Sequence, residues 1–224
     1  MAFFDDLTAA TAEERQALYA VPLIQDGARG RISRETYIAY LTQAYHHVRH
    51  TVPLLMTAGS RLPDEKNWIR KAYAEYIEEE IGHEEWILSD IAKSGGNADV
   101  AASSLPAPAT ELMVAFAYDM VSRRNPVAFL GMVFVLEGTS INLATQAADA
   151  IRESLGLPED AFSYLLSHGS LDVKHMAFFE TLVNRVEDPM DRADIIHMAK
   201  MMFKLFADVF RSIPHDSSAW GKAA

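Results

Sequence analysis

The chain has 224 residues, no Cys and a formal net charge of −11, and 50% of its residues are hydrophobic. The absence of Cys excludes a disulfide framework, a thiolate metal site and a Cys nucleophile. The acidic charge argues against binding to nucleic acid or to anionic membranes. No apolar stretch is long enough to span a bilayer. The acidic N-terminus lacks the basic start of a signal peptide, so we expect a cytoplasmic protein.

Gly (11) and Pro (9) are sparse and helix-forming residues are common, which predicts an all-α protein. Turn signals divide the chain into segments with helical periodicity. No linker is long enough to separate two domains, so we expect one domain at residues 1–216 and a disordered tail at 217–224. The predicted helices cover about residues 11–28, 33–59 with a kink at Pro53, 63–94, 109–124, 125–155, 158–186 and 188–213.

The third predicted helix carries an acidic run that ends at Glu80 and is followed by His83. These two residues are three apart, which is the spacing of a helical Glu-x-x-His metal motif. Glu79 is four residues from His83 and shares the same face. Acidic runs are usually solvated faces, whereas His83 is flanked by apolar residues. Taken alone, the pair is a weak indication of a metal site.

The fifth predicted helix contains one carboxylate, Glu137, after the apolar run from Phe129 to Leu136. An ionised Glu that is buried without a partner is strongly unfavourable. Glu137 must therefore pair with a cation, take up a proton or border a cavity. Gly138 beside it would allow another backbone or a ligand to approach closely.

The sixth predicted helix contains His168, Asp172 and His175 at spacings of three, four and seven residues. On an α-helix these spacings place the three side chains on one stripe. His and carboxylate ligands without Cys suit iron, manganese or zinc. A solvated face or a helix contact held by hydrogen bonds is the alternative for this stretch alone.

Together, three helices present six oxygen and nitrogen ligands. This number fits two divalent irons better than a tetrahedral structural zinc. A ferritin-like site would need a second Glu-x-x-His motif, but Ser140 stands three residues after Glu137. The pattern therefore predicts a helical di-metal site that is not ferritin-like.

In this order, the three patterns resemble those of the heme-oxygenase-like di-iron oxidases and oxygenases, in the wider TenA/Thi-4 superfamily. Within this family, the nearest resemblance is to the fatty-acid decarboxylases that make terminal alkenes. The resemblance covers about residues 30–210. The matching segments are Glu80-Ile81-Gly82-His83 with Trp86, Leu136-Glu137-Gly138, and His168 through Asp172 to His175.

The resemblance implies a seven-helix heme-oxygenase-like fold with Fe(II), two ions per chain. One ion would bind Glu80, His83, Glu137 and His168. A second, more labile ion would bind Asp172 and His175, with Glu80 bridging. Some relatives carry an extra Glu seven residues before the His of the third helix, where this chain has Tyr76.

The implied activity is the oxidation, with dioxygen, of a small aliphatic acid or an amino-acid-like substrate. An electron donor would be a further partner where the reaction needs one, and we expect a homodimer. The helices that border the cavity in this family supply the candidate pocket residues, which are Tyr45, His46, Arg49, Tyr76, Met132 and Phe134. The alternative is a metal-free relative, similar to TenA or to the PQQ synthases, that binds a small molecule or a protein partner.

Overall fold

A computed structural model describes residues 2–220; the side chains of residue 142 and of residues 168–174 are outside that description. Residues 2–220 contain helices and no strand, so the all-α prediction is confirmed. The α-helices are α1 Phe3–Ala10, α2 Ala12–Tyr19, α3 Pro22–Gly27, α4 Arg34–Val48, α5 Thr51–Arg61, α6 Asn67–Glu80, α7 His83–Lys93, α8 Ala98–Ser103, α9 Pro108–Asp119, α10 Phe129–Leu155, α11 Ser163–Val183 and α12 Pro189–Ser212.

The number of helices exceeds seven because several predicted helices are divided. The predicted helix 11–28 breaks before Pro22, and the predicted helix 33–59 ends at Val48 and resumes at Thr51. Pro53 therefore lies in the first turn of α5, where its missing N–H is not needed, instead of kinking a continuous helix. The expected tail begins with a short 3₁₀ turn, Ser217–Ala219, and residues 221–224 lie outside the described residues.

The third predicted helix is also divided, between α6 and α7. Gly82 has a φ of +91°, a left-handed conformation that glycine adopts without a steric penalty. The break makes Glu80 the last residue of α6 and His83 the first residue of α7. The Glu-x-x-His motif therefore spans a joint between two helices and does not lie on one continuous helix.

The long helix α10 lies at the centre of the bundle and packs against α11 on one side and α12 on another. The first turns of α10 are almost entirely buried, from Phe129 to Val135. Gly131 allows the close approach of α12, because a Cβ at this position would overlap the carbonyl oxygen of Ile195 and lie 2.9 Å from the backbone nitrogen of Ala199.

Among the described residues, no single helix is both long and apolar enough to cross a membrane. The length and apolar composition needed to cross a membrane are reached only by a bent pair of segments, 126–141 and 143–155, which meet at 42°.

We predict that Gly131→Ala destabilises the protein by about 1–3 kcal/mol, because the new methyl group must displace the backbone of α12. The matched control is Gly59→Ala in α5, where an added Cβ would meet its nearest atoms, in Arg70 and Tyr73, at 4.0 Å. That change should be neutral or stabilising by up to about 1 kcal/mol, because Ala favours a helix over Gly. Urea unfolding of the two variants measures both effects, and equal stabilities would contradict the close approach.

Candidate metal centre

A cavity of about 160 Å³ lies inside the bundle, between α3, α4, α10 and α12. Most of its wall is apolar, and α10 contributes Met132, Leu136, Leu143 and Ala147 from successive turns of one face. Among the described residues, the wall contains no Lys and no Arg. The cavity is therefore suited to an aliphatic group and offers little to an anion.

Two carboxylates interrupt this apolar wall. Glu80 at the end of α6 and Glu137 in the middle of α10 both line the cavity, together with Tyr76. Glu137 is only 8% exposed. Burying a carboxylate is costly unless positive charge or hydrogen bonds compensate for it. The immediate surroundings of these two residues therefore decide what the site can hold.

The first carboxylate is paired with an imidazole. Glu80 Oε2 lies 3.2 Å from Nδ1 of His83 across the joint between α6 and α7. The ring of His83 is buried and stacks on Trp86, with the ring centres 4.1 Å apart and 27° between their planes. Stacking fixes the orientation of the imidazole, so its ring nitrogens have defined directions.

The second imidazole, His175 of α11, lies between two carboxylates. Its Nε2 is 3.0 Å from Glu79 Oε2, and its Nδ1 is 3.8 Å from Glu137 Oε1. The ring is buried, whereas the side chain of Glu79 is 54% exposed. In the sequence, Glu79 was considered only as a member of an acidic run and as a neighbour of His83, so its contact with α11 is a new feature of the site.

Tyr76 lies at the centre of these groups. Its ring centre is 6.1 Å from that of His175, and its hydroxyl is buried and has no hydrogen-bond partner among the described residues. Burial, followed by the negative charges of Glu137, Glu79 and Glu80, raises the pKa of the phenol above its usual range. Three carboxylates are thus close enough to act on one hydroxyl group.

A buried carboxylate joins the two helices that carry the imidazoles. Asp90 of α7 accepts hydrogen bonds from the backbone N–H groups of Ser163, at 3.1 Å, and Tyr164, at 2.8 Å, which begin α11. It thereby satisfies two of the free donors at this helix end. Burial raises the pKa of Asp90, although both backbone donors favour its charged form. The contact fixes α11 relative to α7.

The structure brings four of the six predicted ligands together with Glu79. Glu80, His83, Glu137 and His175 form the contacts described above. The side chains of His168 and Asp172 lie outside the described residues. Within the described part of the chain, no group of three His, Asp or Glu side chains is arranged to hold a metal ion. The contacts are instead pairwise, carboxylate to imidazole.

The donor set nevertheless fits iron in its chemistry. It combines two imidazoles with three carboxylates, and this mixture of nitrogen and oxygen ligands suits divalent first-row metals. A bound cation would also offset the burial of Glu137, since the described cavity wall supplies no Lys or Arg.

Helix α4 presents a different residue to the cavity than expected. His47 and Val48 line the cavity, as does Tyr40 two turns earlier. His46 points away, with its Nε2 2.9 Å from Ser104 Oγ. The side chains of Tyr45 and Arg49 contact each other, with the guanidinium carbon 5.4 Å from the ring centre. The spacing of seven residues between Tyr40 and His47 is a signal in the sequence that could have identified this face.

Of the other three predicted pocket residues, two line the cavity and one does not. Tyr76 and Met132 line the cavity. Phe134, on the opposite side of α10 from Met132, packs in an aromatic cluster with Phe4 and Phe179. That cluster belongs to the packing of α1 and α11 against α10 and is not part of the cavity wall.

Residues 38–207 match the sequence profile of a family described as iron-containing redox enzymes with a heme-oxygenase-like character. The chain belongs to this family. No curated protein of known function shows significant sequence similarity to it.

Solved structures share the fold. A domain of unknown function with a heme oxygenase-like fold from Shewanella denitrificans has a TM-score of 0.84 and 24% identity, over 94% of this chain and 91% of that one. A TenA homologue from Pseudomonas syringae pv. tomato has a TM-score of 0.77 and 9% identity, over 94% and 91%. Heme oxygenase from Leptospira interrogans has a TM-score of 0.75 and 16% identity, over 94% and 98%. The predicted heme-oxygenase-like fold is thereby confirmed.

We predict that Asp90→Ala destabilises the protein by about 1–2 kcal/mol, because two N–H groups at the start of α11 lose their acceptor. The control is Asp160→Ala. Asp160, just before α11, forms an ion pair with Lys93 of α7, with 3.3 Å between Oδ2 and Nζ. This pair is exposed, so its loss should lower the free energy of unfolding by less than about 0.5 kcal/mol. Chemical denaturation compares the free energies of unfolding of the two variants. An equal loss of stability in both would show that the buried contact of Asp90 with α11 does not stabilise the fold more than the exposed ion pair does.

We also predict that Glu137→Gln does not destabilise the metal-free protein and stabilises it by up to about 1–3 kcal/mol, because the charge of a buried carboxylate is removed from a cavity that also contains the partly buried Glu80. The control, Glu153→Gln, lies on the exposed part of the same helix and should have almost no effect. Thermal melting after removal of metal tests this. A large drop for Glu137→Gln would mean that the carboxylate holds the fold together through an ordinary ion pair.

Proposed function

We propose that the protein is a non-heme di-iron oxidase or oxygenase that uses dioxygen to oxidise a small aliphatic acid. One observation carries the proposal. Glu80 and Glu137 line a cavity whose wall is mostly apolar, and each lies beside a buried imidazole, that of His83 or that of His175. The family of iron-containing redox enzymes to which the chain belongs supports the same chemistry.

Glu80, His83, Glu137 and His175 would hold the iron, together with His168 and Asp172, which the sequence adds to the set. When bound, ferrous iron supplies the electrons that let dioxygen react with a closed-shell organic molecule. The protein contributes the binding and orientation of the substrate. It also keeps water away from the reacting group, because the apolar faces of α10 and α12 enclose the cavity.

The cavity favours an aliphatic acid over an amino-acid-like substrate. Most of the described wall is apolar, so it contacts an aliphatic chain better than it would a second charged group of the substrate. An aliphatic chain gains about 0.8 kcal/mol for each buried methylene group. Met132, Leu136, Leu143 and Phe206 provide such a surface, and the carboxylate of the substrate would lie towards the metal centre. This agrees with the resemblance of the sequence to the fatty-acid decarboxylases.

A metal-free binding protein is the second candidate, and one observation favours it. Each imidazole already has a carboxylate within 3.2 Å, so the pairs partly satisfy each other without an ion. Such a protein would use the same cavity to hold an apolar ligand. It would fold and bind ligand without taking up iron.

Iron uptake and oxygen consumption separate the two candidates. The protein is stripped of metal, loaded anaerobically with ferrous iron and analysed for iron per chain. Oxygen uptake is then followed with straight-chain fatty acids of increasing length and with amino acids. We expect one to two irons per chain and faster uptake with fatty acids. Glu137→Gln should lose iron, whereas Glu153→Gln should bind it like the wild type.

A folded protein that takes up no iron would overturn the enzyme proposal in favour of the binding protein. Iron uptake with amino acids as the better substrates would overturn the proposed substrate class and leave the iron chemistry in place. The cytoplasmic location, the homodimer and the electron donor stay predictions from the sequence.

A further inference from the structure

We infer that helix α3 is a movable wall of the cavity, and that a strap formed by residues 213–217, directly after α12, holds it closed through the contact of His215 with Asp26. This role requires that the cavity receive an apolar ligand from solvent, and in that respect alone it rests on the proposed function. It is the same for the di-iron enzyme and for the metal-free binding protein, because both would use this cavity.

Helix α3 is the shortest of the four helices between which the cavity lies. It has six residues, whereas α4 has 15, α10 has 27 and α12 has 24. A helix of this length is not stable by its own backbone hydrogen bonds and depends on contacts with the rest of the protein. Leu23, Ile24 and Gly27 of α3 line the cavity. Displacement of α3 would therefore open the cavity while the three long helices stay in place.

The chain is fixed on α10 just after α3, at Gly30. This residue has a φ of +66°, and a Cβ at its position would overlap the carbonyl oxygen of Ala150. Helix α3 itself begins at Pro22, which follows a residue with extended backbone. It thus lies between a proline and a glycine in the left-handed conformation, and a few such positions are enough to absorb the change in dihedral angles of a hinge.

The contact between α3 and α10 is weaker than the one at Gly30. The side-chain amide of Gln146 in α10 donates to the carbonyl oxygen of Ala28, just after α3, at 3.5 Å, which is long for a hydrogen bond. A Cβ at Gly27 would lie 4.0 Å from Cδ1 of Ile151, so the two helices meet there without interlocking. These contacts guide α3 onto α10 but do little to hold it there.

The strap holds the other side of α3. His215 Nε2 donates to Oδ2 of Asp26 at 2.9 Å, and the two side chains are only 5% and 12% exposed. Burial of Asp26 favours its neutral form, but hydrogen bonds from the side chains of Ser217 and His215 outweigh this and lower its pKa. The strap is tied in turn to the first turn of α4, where the Thr36 hydroxyl donates to the carbonyl oxygen of Pro214 at 3.0 Å.

One shielded contact therefore joins a short helix to a segment that is anchored elsewhere. Segments with few anchoring contacts open at a lower free-energy cost than the whole protein, and elements that cover binding sites are drawn from them. Loss of the contact between Asp26 and His215 would leave α3 held by Gly30 and by its apolar face. Its opening should then become more frequent while the bundle stays folded.

The test compares Asp26→Ala and His215→Ala with the matched control Asp208→Ala. Asp208 pairs with Arg211 at 2.7 Å in the last turns of α12, and both side chains are about half exposed, so the control removes a carboxylate from the same region without changing α3. Hydrogen exchange of the backbone amides of residues 21–31 measures the opening of α3 without any ligand. Anaerobic stopped-flow mixing with parinaric acid, a straight-chain acid that fluoresces in apolar surroundings, measures its association and dissociation rate constants.

A covalent link makes the opposite change. The chain has no Cys, so Asp26→Cys combined with His215→Cys introduces two thiols and no others are present. A short bifunctional maleimide then joins the strap to α3 by bonds that cannot open. The same double variant without the linker is its control.

We expect residues 21–31 to exchange at least about tenfold faster in Asp26→Ala and in His215→Ala, with exchange in α10 unchanged. Association and dissociation of parinaric acid should both accelerate at least about fivefold, while the dissociation constant stays within about twofold, because a movable wall changes the rates of entry and exit and not the bound state. Asp208→Ala should match the wild type. The linked protein should take up the probe at least about tenfold more slowly than the unlinked one. A merely structural role would weaken binding without accelerating association.

Unchanged exchange or unchanged rates in Asp26→Ala and His215→Ala would overturn the inference and leave the proposed function standing. Faster exchange of α3 without faster entry would also overturn it, because the ligand would then enter elsewhere. If melting curves show that both variants are unfolded, the linked protein decides, and unchanged entry into it overturns the inference. A wild type that binds no parinaric acid would overturn the aliphatic substrate of the proposed function, and the role of α3 with it.

Discussion

The negative charge buried at the end of α6 and in the middle of α10 is the constraint on which the rest of the site depends. Glu80 and Glu137 face an apolar cavity whose described wall contains no Lys or Arg. Desolvation makes such charges costly, and each needs a nearby cation or donor. The described compensation comes from the imidazoles of His83 and His175, which reach the carboxylates from two other helices. The charges that burial makes costly are therefore the same ones that a bound cation would offset.

Backbone geometry and helix packing position these side chains. The joint at Gly82 turns the chain so that α7 begins with His83 beside the last residue of α6. Asp90, two turns further along α7, holds the first residues of α11 by their backbone N–H groups. The imidazoles of α7 and α11 thus belong to one linked unit, whereas Glu137 comes from α10, which packs closely on α12 at Gly131. The site is formed where these two units meet.

Much of this could be predicted from the sequence, and the failures have physical reasons. Helix α12 was predicted nearly to its ends because Asp188-Pro189 marks its start. Helices α10 and α11 begin later than predicted, at Phe129 and Ser163, because a 3₁₀ turn follows Asn125 and another follows Pro158. Glu137 was identified because one carboxylate in an apolar run has no local partner. The joint at Gly82 was missed because a single Gly in an acidic run does not interrupt helical periodicity. The contact between Glu79 and His175 was missed because the two residues are 96 positions apart in the sequence, and no local pattern records such a contact.

The fold alone leaves the chemistry open, since a TenA homologue and a heme oxygenase share it at 9% and 16% identity. The residues that line the cavity make the distinction. This chain has no Cys, so it lacks a thiol nucleophile. Its carboxylates are also unequal in their surroundings, because Glu80 and Glu137 are shielded by protein whereas Glu79 reaches solvent.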